Sequence, residues 1–279
     1  MQPQQKILAF LSLGILSLLL IIGWKLPDRS ISDNQDISSA QIVVSAAASL
    51  KEVMTEIKTI YQQKYPKIKI VLNFASSGSL QRQIEQGAPV DVFISAAVDK
   101  MVRLDKQDLL LTDTRQDLLK NKIVLIAPVT KNRDKFKLDK FEDLTNERIK
   151  TIALGEPQSV PAGNYAKEVL DRFEITDRVD RKTVYGKDVR QILNYVATGN
   201  ADAGIVYYTD ALSTNNVRIV AIAPENSHSP VVYPVAVIKG SKNIQAAKTL
   251  VEFLTTSEAR SIYDEYGFYF IKNSANRSF

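Results

Sequence analysis

The chain has 279 residues, 45% of them hydrophobic and 24% charged, and its 36 Lys and Arg against 31 Asp and Glu give a formal net charge of +5. This composition is typical of a globular protein, the length corresponds to about two domains, and the basic residues are too scattered to indicate a nucleic-acid partner. The absence of cysteine and the single histidine, His228, exclude Cys or Cys/His zinc sites, cysteine nucleophiles and iron–sulfur clusters.

Residues 1–40 are predicted to be a targeting segment and not part of the fold. Lys6 precedes an apolar run over residues 7–24, and a polar stretch rich in Ser, Asp and Asn follows it. The run lies between the length of a signal-peptide core and that of a membrane span, and the best cleavage position, at residues 38–40, is far from it. A cleaved signal and an uncleaved inner-membrane anchor therefore remain alternatives, and both predict a periplasmic or other extracytoplasmic protein.

Beyond residue 40, strand-like and helix-like patterns alternate. Residues 41–45 form a β-branched run, after which Leu50, Val53 and Ile57 follow at helical spacing until Pro66 ends the helix. Further strands are predicted at residues 67–74, 90–95, 121–127, 151–154, 203–207, 217–222 and 231–238, and further helices at residues 79–86, 164–173, 189–198, 243–255 and 258–266. This alternation predicts an α/β protein with parallel sheets and helices on both faces.

Three predicted strand-to-helix junctions carry the functional argument. Ser49 and Glu52 form an S-x-x-E capping box. Residues 74–80 lead from a strand through hydroxyls and one glycine into a helix, and Asp188 begins a third helix with Gln191 three residues on. Free N–H groups, the helix dipole and hydroxyl donors at the carboxyl ends of strands make an anion site that needs no Lys or Arg. The simpler alternative is that each Ser or Asp only caps its helix.

An ordered set of motifs resembles one family. The motifs are AAASL (46–50), FASSGSL (74–80), GAPVDVFISAA (87–97), VPAGNYAKE (160–168), DVRQIL (188–193), AGIVYYTDA (203–211) and VYPVAV (232–237). In this order they are similar to the exported molybdate-binding proteins of ABC transporters, over essentially all of residues 41–268. The resemblance implies a two-lobe periplasmic-binding-protein fold of type II, in which each lobe is a mainly parallel sheet flanked by helices and the ligand lies in the cleft.

The resemblance also implies a ligand site made of neutral donors. Its members would be the hydroxyls and amides of Ser49 and Ser77, the amides of Ala96 and Val189, and the hydroxyl of Tyr207. We choose Tyr207 over Tyr208 because adjacent strand residues face opposite ways. No cofactor is implied, and molybdenum enters only as the bound oxyanion, molybdate, with tungstate as its analogue.

Several secondary expectations accompany this site. The first lobe is expected to comprise residues 41–122 and 232–279, and the second lobe residues 123–231. Gly78 is interpreted as a tolerated replacement for serine, while Arg82 and Arg190 are expected to point to solvent. Asp188 is interpreted as a helix cap, although a carboxylate turned into the cleft would give a protonated anion its acceptor.

The expected function is to capture molybdate or tungstate and deliver it to the membrane permease of an ABC transporter, as a monomer and without catalysis. A receptor of the same build for another oxyanion, such as sulfate or phosphate, is the first alternative. The second is a hydrolase with Ser49 or Ser77 as nucleophile. That enzyme lacks a base, because His228 lies in a polar, turn-like stretch outside these motifs.

Overall fold

The computed structural model describes residues 39–129 and 138–271. The predicted targeting segment lies outside these residues except for its last two positions. None of the helices in the two described stretches combines the length and apolar character that a membrane crossing needs.

The described residues form strands and helices in alternation, as predicted. The strands are β1 (Ala40–Ala47), β2 (Ile68–Ala75), β3 (Val92–Ile94), β4 (Gln116–Lys120), β5 (Ile123–Pro128), β6 (Ile152–Gly155), β7 (Thr183–Gly186), β8 (Ala203–Tyr207), β9 (Val217–Ile222), β10 (Val232–Val237) and β11 (Tyr269–Phe270). The helices are α1 (Lys51–Lys64), α2 (Ser77–Glu85), α3 (Val98–Lys106), α4 (Pro161–Arg172), α5 (Thr176–Asp180), α6 (Val189–Ala197), α7 (Tyr208–Leu212), α8 (Ile244–Phe253) and α9 (Ser257–Glu265).

The strands assemble into two sheets, one in each lobe. The first has the order β11-β4-β10-β3-β1-β2 and the second the order β7-β6-β8-β5-β9. The chain passes from the first sheet to the second between β4 and β5, and it returns between β9 and β10. This is the two-lobe α/β architecture that was expected.

Most strands of each sheet run in one direction, as expected, and the exceptions are β10 and β11 in the first sheet and β5 in the second. Strands β2, β1 and β3 are parallel, but β10 is antiparallel to both β3 and β4, and β5 is antiparallel to both β8 and β9. The reason is the crossing itself. A strand that enters a lobe from the cleft runs away from it, whereas the strands that end at the binding edge run toward it.

Local patterning explains how the first lobe buries its core. Helix α1 buries Val53, Met54, Ile57 and Tyr61 along one face, and it ends just before Pro66. The side chains of β3 alternate: Val92 and Ile94 join the main core, whereas Phe93 joins a smaller cluster under α2 and α3. Apolar burial on both faces of this sheet fixes the strand ends that carry the candidate site.

Candidate functional site

The predicted first-lobe residues lie at one edge of the first sheet. Strands β3, β1 and β2 are neighbours and end nearly in register, with Ala47 beside Ala75. Ser49, Ser77 and Ala96 each follow one of these strand ends, and they are 4%, 0% and 2% exposed. The structure therefore brings these three together in a buried position.

Ser77 is the first residue of α2, two positions earlier than predicted. The preceding Ser76 is the N-cap, and its hydroxyl accepts the N–H of Ser79 at 3.4 Å. The Ser77 hydroxyl oxygen accepts the N–H of Ala96 at 2.9 Å. The Ala96 amide is thus already engaged, and the Ser77 proton stays available for another acceptor.

Ser49 does not cap α1, so the predicted capping box is wrong. Ser49 lies inside a short 3-10 turn, Ala48–Leu50, and Leu50 is the N-cap without a side-chain hydrogen bond. The Ser49 hydroxyl instead lies 3.0 Å from the hydroxyl of Tyr233 on β10, and Glu52 pairs with Arg190. Ser49 and Glu52 thus have partners that are distant in sequence, and the Ser49 hydroxyl faces Tyr233 on β10.

In the second lobe, Val189 begins α6 behind the Asp188 cap. The Asp188 carboxylate accepts the N–H of Gln191 at 2.9 Å, which confirms its interpretation as a cap. Val189 is 4% exposed, and as the first residue of a helix its N–H has no partner within that helix. The Asp188 carboxylate is engaged by Gln191. The Val189 N–H is therefore left as a buried donor at the positive end of the helix dipole.

Tyr207 is the last residue of β8, and its hydroxyl is the most informative atom of the site. The residue is 1% exposed, and within residues 39–129 and 138–271 its hydroxyl has no hydrogen-bond partner. Burial raises the pKa of Tyr207 well above its usual value, so the phenol stays neutral. Tyr208 is half-buried and begins α7, so the strand alternation on which the choice of Tyr207 rested does not extend to it. A buried phenol without a partner is costly unless something in the cleft accepts its proton.

Aromatic contacts join the two halves of the site. The rings of Tyr207 and Tyr233 meet edge-on with centroids 5.8 Å apart, and Tyr165 meets Tyr207 at 6.4 Å. Because Tyr233 also contacts Ser49, it is the shared neighbour of a first-lobe and a second-lobe donor. Ser49 of the first lobe and Tyr207 of the second thus lie on either side of Tyr233.

Arg190 does not point to solvent, so that expectation is wrong. Its Nε donates to the carbonyl of Ala48 at 3.3 Å, and another guanidinium nitrogen pairs with Glu52, both in the first lobe. Its other contacts lie in its own lobe: Nε is 3.1 Å from Asp210 Oδ1, and Nη1 donates to Ser213 at 2.7 Å. Arg190 therefore ties the lobes together beside the site. Arg82, in contrast, is exposed as expected.

Asp210 is a fully buried carboxyl beneath this arginine. It is 0% exposed, and neither oxygen accepts a well-aligned hydrogen bond from the described side chains, despite the close approach of Arg190. Burial raises the pKa of Asp210 to about 6, although Arg190 and the Tyr207 backbone act in the opposite direction. The guanidinium is thus the main source of compensation for a carboxylate that burial penalises.

Gly78 forms a close backbone contact between the lobes. Its N–H donates to the carbonyl of Ser159 at 3.0 Å, and a Cβ at this position would lie 2.6 Å from that oxygen. Glycine is therefore required by the contact, and the interpretation of Gly78 as a tolerated replacement for serine is wrong here. With the donors buried and this contact formed, the described arrangement is the closed one.

The described contacts give a serine nucleophile no base. Ser49 contacts Tyr233 and Ser77 contacts the Ala96 amide. His228 is half-exposed, with Nδ1 2.7 Å from the carbonyl oxygen of Ser229. A Ser-His pair is therefore not formed among the residues that the structure describes.

Sequence reasoning missed Asn121, Tyr233 and Asp210 as members of the site. Asn121 and Tyr233 flank the two crossings between the sheets, and each appears in the sequence as a strand residue. Their burial, 7% and 0% exposed, is the property that reveals them, and it requires the tertiary structure. A polar residue at the start of an apolar strand is the only local signal they give.

The sequence pattern of the bacterial extracellular solute-binding proteins matches residues 42–269. This chain belongs to that family. The molybdate-binding protein ModA of Haemophilus influenzae is 37% identical over 231 residues, which cover 83% of this chain and 91% of ModA. The ModA of Escherichia coli is 38% identical over 240 residues, which cover 86% of this chain and 93% of that protein. The resemblance noted from the motifs is confirmed.

Solved structures agree with this family. The substrate-binding domain assigned to a molybdenum ABC transporter of Clostridium difficile is 44% identical, with a TM-score of 0.64, and the match covers 83% of this chain and 99% of that one. The periplasmic molybdate-binding protein of Azotobacter vinelandii matches with a TM-score of 0.73 over 83% of this chain and 100% of that one. At 22% identity, the second comparison bears on the fold alone.

Proposed function

We propose that this chain is an extracytoplasmic substrate-binding protein that captures molybdate, and its analogue tungstate, for an ABC permease. The observation that carries the proposal is the buried Tyr207 hydroxyl without a partner among the described residues, beside the tyrosine that holds Ser49. An oxyanion in the cleft would accept this proton. The molybdate-binding relatives support the same ligand.

The proposed donors are the hydroxyls of Ser49, Ser77 and Tyr207 and the amide of Val189. The Ala96 amide contributes through Ser77, to which it donates, and it turns the serine proton toward the ligand. This set offers protons and no obligatory acceptor. A fully deprotonated tetrahedral dianion fits it, whereas an anion that carries a proton would bury that proton unpaired, at a cost of about 1–3 kcal/mol.

The proposed lobes comprise residues 41–122 with 232–279, and residues 123–231. Donors on both sides of the cleft would draw the lobes together around the ion, with the two crossings as the hinge. The absence of a side-chain cation from the donor set favours reversible capture, since release need not break a direct ion pair. We further propose a monomer, without enzymatic activity, that is exported and either free or anchored by the segment before residue 40.

Calorimetric titration of the purified protein with molybdate, tungstate, sulfate and phosphate tests the proposal. Molybdate and tungstate are expected to compete almost equally, and phosphate to bind far more weakly. Tyr207→Phe should weaken molybdate binding about 5- to 100-fold without loss of folding, since it removes one donor to a charged ligand. Tyr61→Phe is a matched control, because Tyr61 is also fully buried without a hydroxyl partner among the described side chains. Phosphate that binds as tightly as molybdate would contradict the assignment.

A further inference from the structure

A buried chain of hydrogen bonds runs from the crossing between the sheets to Ser49. Asn121, which follows β4, donates from Nδ2 to the Thr209 hydroxyl at 2.9 Å and to the Tyr233 hydroxyl at 3.3 Å. Tyr233 in turn lies 3.0 Å from the Ser49 hydroxyl. All four residues are at most 7% exposed, so water does not substitute freely for any of these partners.

The orientation of the Asn121 side-chain amide fixes the direction of this series of hydrogen bonds. The backbone N–H of Lys122 donates to Asn121 Oδ1 at 2.8 Å. A backbone N–H can only donate, so the oxygen of the Asn121 amide must face it, and the amide nitrogen must face Thr209 and Tyr233. Both hydrogens of that nitrogen are then committed, one to each hydroxyl oxygen.

The same reasoning assigns the hydroxyl proton of Tyr233. Tyr233 is 0% exposed, and its oxygen already accepts a hydrogen bond from Asn121. Its own proton needs an acceptor, and Ser49 Oγ at 3.0 Å provides one. Burial raises the pKa of Tyr233 well above its usual value, which keeps that proton in place. Ser49 therefore accepts from Tyr233, and its own proton is left for the cleft.

We propose that Asn121 and Tyr233 are positioning residues that orient the Ser49 proton toward the cleft, and that this orientation, which presents a donor to the ligand, disfavours oxyanions that carry a proton. The inference rests on the proposed function, because it takes Ser49 as a ligand donor. The Ala96 amide acts on Ser77 in the same sense. Two hydroxyls whose protons are turned away from their protein partners then face the anion from the first lobe.

Tyr233→Phe is the decisive variant. It removes the hydrogen bond that Ser49 accepts, so the serine hydroxyl can rotate and turn a lone pair toward a protonated ligand. The variant is titrated with molybdate and with arsenate at mildly alkaline pH, where arsenate is a dianion that carries one proton. Comparing the two anions separates an effect on the orientation of the Ser49 hydroxyl from a general loss of folding stability. The molybdate-to-arsenate affinity ratio should fall by about 5- to 20-fold relative to the unmodified protein. A purely structural role would weaken both anions alike and leave the ratio unchanged, and that result would overturn the proposal.

The control is Tyr263→Phe, which removes a fully buried hydroxyl of the same lobe that has no partner among the described residues. Its affinity ratio should equal that of the unmodified protein. If the unmodified protein prefers another tetrahedral anion, the proposed ligand is wrong, while the variant still tests the positioning role with the protonated and unprotonated forms of that anion.

A measurement without any ligand keeps the inference testable even if Tyr233→Phe fails to fold or no oxyanion binds. In NMR spectra of the unmodified protein, the slowly exchanging hydroxyl proton of Tyr233 should show a cross-peak to the β-protons of Ser49. A hydroxyl proton on Ser49 directed at Tyr233 would show the opposite direction and overturn the inference.

Discussion

The ion pair between Arg190 and Glu52 joins one lobe to the other, so removing it should destabilise only the closed state. Glu52→Gln keeps the shape of the side chain and removes its charge. The side chains of Arg190 and Glu52 are 20% and 39% exposed, and solvent therefore screens the pair in part. After that discount, we expect the variant to lose about 0.5–1 kcal/mol, or about 2- to 5-fold in molybdate affinity, mainly through faster dissociation.

Titration and dissociation kinetics at low and high salt measure this effect. The difference between the variant and the unmodified protein should shrink as salt rises, because salt screens partly exposed charges. The control is Glu258→Gln, which breaks an ion pair with Lys64 that is confined to the first lobe, at 3.2 Å. Equal losses in the two variants, or no loss in Glu52→Gln, would refute the idea that this pair belongs to closure.

Two further predictions concern backbone contact and buried charge. Gly78→Ala places a Cβ 2.6 Å from the Ser159 carbonyl oxygen, so titration should show molybdate binding weaker by about tenfold or more, while thermal melting of the ligand-free protein changes little. Asp210 has a folded-state pKa of about 6, above its usual value of 3.8, so its contribution to stability is present below the lower value and is lost as pH rises through the higher one. Urea unfolding should therefore show the stability of the unmodified protein, relative to Asp210→Asn, falling by about 3 kcal/mol as the pH rises from below 3.8 to above about 6, and a pH-independent difference would contradict this.

The sequence predicts those parts of the fold that local patterns determine. The strand predictions at residues 203–207 and 217–222 coincide with β8 and β9, since β-branched runs between turn signals mark buried strands. Strands β4, β7 and β11 were not predicted, because runs of five, four and two residues carry little periodicity. The mixed direction of the sheets follows from the path of the chain between lobes, which no local pattern contains.

The site divides in the same way. Asp188 caps its helix through a partner three residues away, which a motif can predict. Ser49 and Glu52 satisfy a capping motif equally well, yet their partners, Tyr233 and Arg190, are distant in sequence. Arg190 follows a helix start like many solvent-exposed arginines, and only the fold shows that Ala48 and Glu52 face it. Local chemistry thus identified the junctions, while tertiary contacts decide which groups remain free for a ligand.

The depth of the donors has a consequence for how cargo is exchanged. Ser49, Ser77, Val189 and Tyr207 are all at most 4% exposed while the lobes touch, so we expect an ion held by the proposed donors to exchange only when the lobes part. Exchange must wait for a spontaneous opening of the hinge, whatever the number of ions outside. We therefore expect a release rate that does not rise with competitor concentration, and the proposed permease would accelerate unloading by favouring the open form.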